Sequence, residues 1–356
     1  MPNKPNTRRQ FLKATSAAMT IAALGDGPST GAATTRPTDS TPADTSKILN
    51  YNPKMGYRTL GNTGALISEI SLGGHGGKTP EDRVPVLDRA IELGINYLDT
   101  NMVTECELYA RALRDKRRNF YIGFASWPER LTPDQENEVS RESLLREIEA
   151  RLKTYRTDML DLWRPIAATW GPGQNRRETL LDVSPRVLDM VVDVFDKVRR
   201  QGKVRWLGIS AHNDKVFHRV LKDYPQFSVI LFPCLFLTKP QGGEGLLKLA
   251  KEKNVGVIGI KPFAAGATFG IKPSEISDKL DVRASVLLRA MLADPRIAAV
   301  IPGVNDPAQL AENVKGSYER DKPLSEKDRQ ALRECETNFY AHVTPPYEWL
   351  HHWRTA

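Results

Sequence analysis

The 356-residue chain predicts an α/β fold of the TIM-barrel class, a (β/α)₈ barrel with an N-terminal hairpin and a C-terminal helical extension. Three observations predict it. Eight short apolar or β-branched runs, bounded by Gly, Asp or Pro, recur between residues 67 and 301. A stretch of helical periodicity follows each run, as a closed parallel barrel requires. The turn after the first run, Gly73-Gly74-His75-Gly76-Gly77, lacks the Gly-x-Gly-x-x-Gly spacing that opens a doubly wound dinucleotide-binding sheet.

Taken in order, residues 1–33 read as an export signal. Thr7-Arg8-Arg9-Gln10-Phe11-Leu12-Lys13 precedes a weakly apolar run, Ala14 to Gly25, too short to span a bilayer as a helix. Paired arginines followed by x-Phe-Leu-Lys and an Ala/Thr-rich core resemble a bacterial twin-arginine signal. The resemblance implies a periplasmic or otherwise exported protein, delivered by the twin-arginine translocation machinery, with no transmembrane segment. Asp26 to Asn50 is rich in Thr, Ser, Pro, Gly and Asp, so residues 34–54 are expected to form a flexible tether. The barrel is expected over 55–356.

Tyr57 to Gly64 carries a hairpin with a tight Asn/Gly turn. The expected barrel strands are Ile67–Leu72, Ile95–Asp99, Phe120–Phe124, Met159–Trp163, Arg205–Ile209, Ser228–Phe232, Gly256–Ile260 and Ala298–Ile301. The expected helices are Arg83–Leu93, Glu105–Arg114, Arg141–Thr154, Pro185–Gln201, Asp214–Asp223, Gly245–Lys253, Val282–Ala293 and Pro307–Val314. Ser325-x-x-Asp328 starts one more helix, through about Glu336, with a capping-box pattern. The aromatic tail, Thr344 to Trp353, is expected to pack across the barrel.

Composition excludes several classes. Of the net charge of +8, the first 33 residues carry +3, and elsewhere Lys and Arg are interleaved with Asp and Glu. Nucleic-acid binding needs a gathered basic patch, which that pattern does not give. Cys106, Cys234 and Cys335 are odd in number and widely spaced, offering neither a disulfide framework nor a metal cluster. His75, Asp99, Glu105 and His212 show no paired ligand spacing, so no metal site is predicted.

Six motifs in order then point to one family. They are Gly94-Ile95-Asn96-Tyr97-Leu98-Asp99-Thr100, Arg117 to Ser126, Thr157 to Trp163, Gly202 to Ser210, Val255 to Phe263, and Ile301-Pro302-Gly303-Val304 with Gln309 to Asn313. Together they resemble the aldo/keto reductases over about 290 residues. The resemblance implies a small-molecule substrate with a carbonyl or sugar-like group, and NADP(H). In that family a Tyr protonates the substrate oxygen, a Lys lowers its pKa, an Asp pairs with the Lys, and a His orients the carbonyl.

Only the Asp, Asp99, stands in its place here. Thr104, Ala125 and Ile166 stand where Tyr, Lys and His are expected. Tyr109 is the nearest phenol but sits at an apolar helix position, which predicts core. Asp99 must therefore meet another cation, such as Arg164, or be solvated or protonated. His75, Asn101, Arg164 and His212 are the other candidate mouth residues.

The cofactor positions are better kept: the resemblance assigns Ser210, Lys261, Pro262, Phe263, Gly303, Gln309, Glu312 and Asn313 to cofactor binding. Gln309 replaces an Arg that many members use for the 2′-phosphate, and Ala211 replaces an Asn beside the nicotinamide. Free NADPH is not expected outside the cytoplasm, so any such cofactor would travel tightly bound. Two rivals remain: a catalytically silent barrel that binds through Trp170, Arg176 and Arg177, or a non-redox lyase or hydrolase using mouth carboxylates and His.

Overall fold

The computed structural model describes residues 44–73, 79–126, 139–167, 184–211, 214–235, 243–264, 268 and 283–341. The expected signal, the start of the tether and the aromatic tail lie outside the described residues. The end of the expected tether is not loose. Ile48 and Met55 are buried, and the Asn50 carboxamide donates to Ile95 O (2.7 Å) and Asn119 O (2.8 Å). Composition hides this, because a few specific contacts offset an ordering entropy that is otherwise left uncompensated.

The hairpin forms as expected. Strands β1 (Tyr57–Thr59) and β2 (Leu66–Ser68) pair antiparallel around a 3₁₀ turn at Gly61–Thr63. The turn ends on Gly64 at φ 72°, a conformation that a side chain would strain. Leu60, Ala65 and Ile67 pack on Leu162, Val229 and Ile258 inside the barrel, so the hairpin plugs one end of it. The expected first strand, Ile67–Leu72, is therefore divided. Ile67 and Ser68 belong to the hairpin, and the barrel strand is β3 (Leu72–Gly73). The break falls at buried Glu69, which pairs with Arg58 (2.7 Å) and accepts from Ser317 Oγ (2.7 Å). An apolar run does not reveal a turn pinned by a buried ion pair.

Strands β4 (Tyr97–Thr100), β5 (Tyr121–Ser126), β6 (Leu160–Ala167), β7 (Val204–Ala211), β8 (Phe227–Pro233), β9 (Gly256–Ile260) and β10 (Ala299–Ile301) continue from β3, each parallel to the next. Bridges Ile70–Val300 and Gly73–Gly303 close the ring. The seam needs a glycine, since a Cβ at Gly73 would lie 2.3 Å from the Ile301 side chain. The helices are α1 (Pro80–Glu92), α2 (Val103–Leu113), α3 (Arg141–Tyr155), α4 (Pro185–Arg200), α5 (Asp214–Asp223), α6 (Gly243–Glu252), α7 (Ala284–Leu292), α8 (Pro307–Tyr318) and α9 (Glu326–Ala341). This is the predicted (β/α)₈ TIM barrel.

Local sequence explains the helices. Ser184 accepts from Val187 N (3.2 Å) and Pro185 opens α4, whose buried stripe runs from Val187 to Val198. Each such side chain contributes roughly 1.5–3 kcal/mol on burial. Ser325 and Asp328 exchange 3.1 Å bonds and start α9, which runs past the expected end to Ala341.

The strands alternate. Tyr97, Leu162, Val229, Leu231, Ile258 and Ile301 fill the barrel, while Leu98, Phe124, Trp163, Leu207, Ile230 and Phe232 pack under the helices. Strands β6 and β7 continue past their expected ends at Trp163 and Ile209. The same alternation then carries Arg164 and Ser210 onto the inner face.

Candidate active site

Asp99 lies one pleat above Tyr97, inside the C-terminal mouth where barrels place reactive groups. It is buried and held from two sides. Arg164 Nη2 donates to Asp99 Oδ2 at 2.7 Å, and the Tyr97 hydroxyl donates to Oδ1 at 3.1 Å. The same guanidinium donates from Nη1 to Ser210 Oγ at 2.8 Å, tying β4, β6 and β7 together over the mouth. Its Nε is buried without an acceptor. Burial raises the Asp99 carboxyl above its ordinary value, and the Arg164 charge and the Tyr97 bond pull it back. Burial and the neighbouring carboxylate also hold the Tyr97 phenol well above its ordinary value. Tyr97 is fully enclosed, so it orients Asp99 rather than meeting a substrate.

Glycine makes this pairing possible. A Cβ on Gly123 of β5 would stand 2.1 Å from Tyr97 Oη and 2.7 Å from Asp99 Oδ1.

The positions that the resemblance assigns to the family's Tyr, Lys and His hold Thr104, Ala125 and Ile166. Thr104 is exposed in the first turn of α2. Ala125 and Ile166 are buried against each other as an apolar pair at the ends of β5 and β6. Ala125 is also the register partner of Arg164, so the guanidinium arises directly abreast of it. Tyr109 is core, as its helix position predicts, with its hydroxyl donating to Gly73 O at 3.1 Å. Asn101 is half-buried, and its N–H is taken at 2.7 Å by Glu105, whose carboxylate also serves Met102 N and caps α2. His75, His212, Trp170, Arg176 and Arg177 lie outside the described residues.

Beyond β9 the chain enters Lys261-Pro262-Phe263. Pro262 and Phe263 are buried and Lys261 is half-buried. Lys261 and Ala264 both take left-handed φ values, 58° and 46°, rare for residues with a side chain. Burial and the positive charge of Arg164 bring the Lys261 ammonium from 10.5 down to about 7.

Beyond β10, Arg83 of α1 donates to Val304 O (3.0 Å) and Asn305 O (2.6 Å), fixing the loop that carries Gly303. The N-terminus of α8 follows this loop. Asp306 caps it, accepting from Ala308 N (2.8 Å) and Gln309 N (2.9 Å). Gln309 accepts from Asn305 N at 2.9 Å, and Glu312 from Ser285 Oγ at 2.6 Å.

Two features nonetheless fit a dinucleotide. Asn313 is buried, yet its Nδ2 has no hydrogen-bond partner, a cost a protein seldom leaves uncompensated. Among the described residues nothing lies within 4 Å of a Cβ built on Gly303, so they leave space for a group to approach its backbone.

The model of the aldo/keto reductase family matches residues 69–283. This chain belongs to that family. It is 25% identical over 314 residues to the uncharacterized oxidoreductase YqkF of Bacillus subtilis, covering 78% of this chain and 96% of that protein. It is 24% identical over 312 residues to L-galactose dehydrogenase of Arabidopsis thaliana, covering 80% and 94%. Among solved structures it resembles the aldo-keto reductase AKR11C1 of Bacillus halodurans. The holo form superposes with a TM-score of 0.60 at 21% identity, over 79% of this chain and 96% of that one. The apo form gives 0.58. Reading the sequence as an aldo/keto reductase barrel missed three contributors: Tyr97 beneath Asp99, the Arg164 charge acting on Lys261, and Arg83 behind the Gly303 loop.

Proposed function

We propose that this protein is an exported oxidoreductase that carries a nicotinamide cofactor and acts on a carbonyl or sugar-like alcohol, with proton handling unlike the family's Tyr/Lys/His arrangement. One observation carries the reading: the buried Arg164–Asp99 pair at 2.7 Å. A buried ion pair is weak evidence for stability and is costly to build, so its retention at the mouth argues for a charged site in use. The family, and a relative named as a sugar dehydrogenase, support the substrate class. The twin-arginine pattern supports export of the folded chain with its cofactor inside.

In this reading Asn313 and Glu312 take the adenosine end, Gly303 and the loop held by Arg83 take the phosphates, and Ser210 faces the nicotinamide. When bound, the nicotinamide supplies or accepts the hydride. Asp99 fixes Arg164, and Tyr97 fixes Asp99. The guanidinium then stands as a prepaid positive charge near an oxygen that becomes negative, where one well-placed donor is worth about 10²–10³ in rate. The apolar Ala125–Ile166 pair excludes water beside it. Gln309 supplies no cation for a 2′-phosphate, so NADP(H) and NAD(H) are to be compared directly.

The test is to denature protein purified from the exported fraction and identify released nucleotide by mass spectrometry, then assay a panel of aldehydes, ketones and sugars. Stoichiometric nicotinamide nucleotide with turnover is expected. Bound nucleotide with no turnover on the panel would instead favour a silent scaffold.

A further inference from the structure

Away from the mouth, the fold gathers cations that the sequence interleaves with acids. A groove of about 1520 Å³ runs between α2 and α3 and reaches the N-terminal ends of β5, β6 and β7. We propose that this groove is a docking site for an extended acidic segment of a partner protein. The proposal does not depend on the oxidoreductase reading.

Charge is the first argument. Eight cationic and four carboxylate side chains line the groove, a surplus of four positive charges and half of the whole chain's +8. In the floor, Arg117 (3.2 Å) and Arg205 (3.4 Å) share the single buried carboxylate of Asp161. The walls carry Arg111, Arg114 and Arg118 on one side and Arg151, Lys153 and Arg156 on the other. Among the described residues, none of these six side chains makes a salt bridge or a hydrogen bond, although Glu107, Asp115 and Asp158 line the same groove. Like charges gathered in a concavity repel one another and focus a field that a bound anion relieves.

Backbone geometry is the second. Arg114, directly after α2, takes φ 48° with ψ −115°, and Arg156, directly after α3, takes φ 49°. Glycine or asparagine would sit at such positions without strain. Favourable charge at the helix C-termini does not explain the choice, because Arg111 and Lys153 in the last turns already supply it. Strained arginines at both wall ends point instead to a site in use.

Shape selects the occupant. The 11 residues of α2 extend for about 16 Å, so the cations form rows rather than one point. That length matches about five residues of extended chain, not a single small anion. Leu49, Tyr121 and Met159 are half-buried in the groove, and Val103 is 46% exposed at the end nearest the mouth. They seat apolar side chains between carboxylates that fork onto the arginines. The four lining acids repel a polymer charged at every unit, whereas a peptide can set neutral side chains against them. A lipid surface is too flat to fill a concave groove.

The test is fluorescence anisotropy of a labelled (Glu-Gly-Glu-Leu)₃ peptide mixed with the full chain. Saturable binding is expected, weakening by about tenfold between about 50 and 200 mM salt as the ion pairs are screened. R111E/R118E should weaken it by about tenfold or more, and both positions are exposed and unpaired, so folding should be untouched. K222E/K251E makes the same charge change at exposed positions on α5 and α6 and should stay within about twofold. Equal weakening by both variants means diffuse attraction and overturns the proposal, as does the absence of binding at millimolar peptide. Oligothymidylate or phosphatidylglycerol vesicles that bind more tightly than the peptide, and lose that binding in R111E/R118E, assign the groove to a phosphate polymer or a lipid surface and overturn the peptide reading. A diazirine at the centre of the peptide gives a readout on wild-type protein alone. It should label residues between 103 and 118 or between 150 and 159, and label confined to other segments overturns the proposal.

Discussion

Replacing Arg164 with Met isolates the pair on which the site is built. The substitution keeps most of the side-chain volume and removes the 2.7 Å bond to Asp99 and the 2.8 Å bond to Ser210. It leaves a carboxylate inside the barrel with only the 3.1 Å Tyr97 bond. Breaking a buried pair from one side costs about 3–5 kcal/mol. Asp99 has a partial escape, because burial already raises its pKa and loss of the cation raises it further. The folded mutant therefore binds more protons than the folded wild type, and its deficit grows as pH rises from 5 to 8.

Urea denaturation at each pH measures this, read as a shift in midpoint at constant slope. The R164M/D99N double variant removes the stranded charge and should recover most of the loss, giving a coupling of about 2 kcal/mol or more. A loss under about 1 kcal/mol at pH 8, or strict additivity of the two substitutions, would refute the claim that the guanidinium neutralises Asp99 in the barrel.

Three further outcomes follow from the same geometry. Gly123→Ala forces a methyl group onto Tyr97 Oη and Asp99 Oδ1, and should cost about 1–3 kcal/mol in thermal or urea unfolding. Tyr97→Phe in the same chain frees that space, so a G123A penalty unchanged in the Y97F background would show the clash to be misplaced. Lys261→Met should raise stability at pH 6 relative to wild type, with the gain fading toward pH 10. The folded pKa near 7 lies below the unfolded value, so burial of the charged amine penalises wild type most below pH 7 and not at all once both states are neutral. A constant offset across that range would contradict the shift. Asn313→Leu removes a buried amide nitrogen that has no partner, and should leave urea stability within about 1 kcal/mol of wild type while weakening NADPH binding about tenfold. A large loss of stability with unchanged binding would mean that the amide serves the fold.

The sequence shows the barrel clearly, because strand and helix periodicities are long-range patterns that tertiary context reinforces. It places Asp99 at a strand end for a similar reason: the residue sits at a fixed offset within a strand motif. Arg164-Pro165 is harder. A charge followed by Pro reads as the end of a strand, since Pro gives up a ladder donor, yet β6 runs on to Ala167. Arg164 could be named as a partner for Asp99, but only that extension, with period two from Leu162, turns it inward; the same period on β4 puts Tyr97 beneath Asp99. The resemblance names Lys261, but its direction could not be read in this way, because its left-handed turn breaks the alternation on which such reasoning rests. Asp306-Pro307 is readable as an N-cap and first helical position from capping rules once the helix start is fixed.

The most direct test of a retained cofactor seat beside a replaced proton relay is a fluorescence titration of the purified chain with NADPH and with NADH. Saturable binding at concentrations on the order of 1–100 μM to at least one of them, weakened by Asn313→Leu, is the expected result, as for ordinary enzyme ligands. No binding of either nucleotide at millimolar concentration would contradict the account.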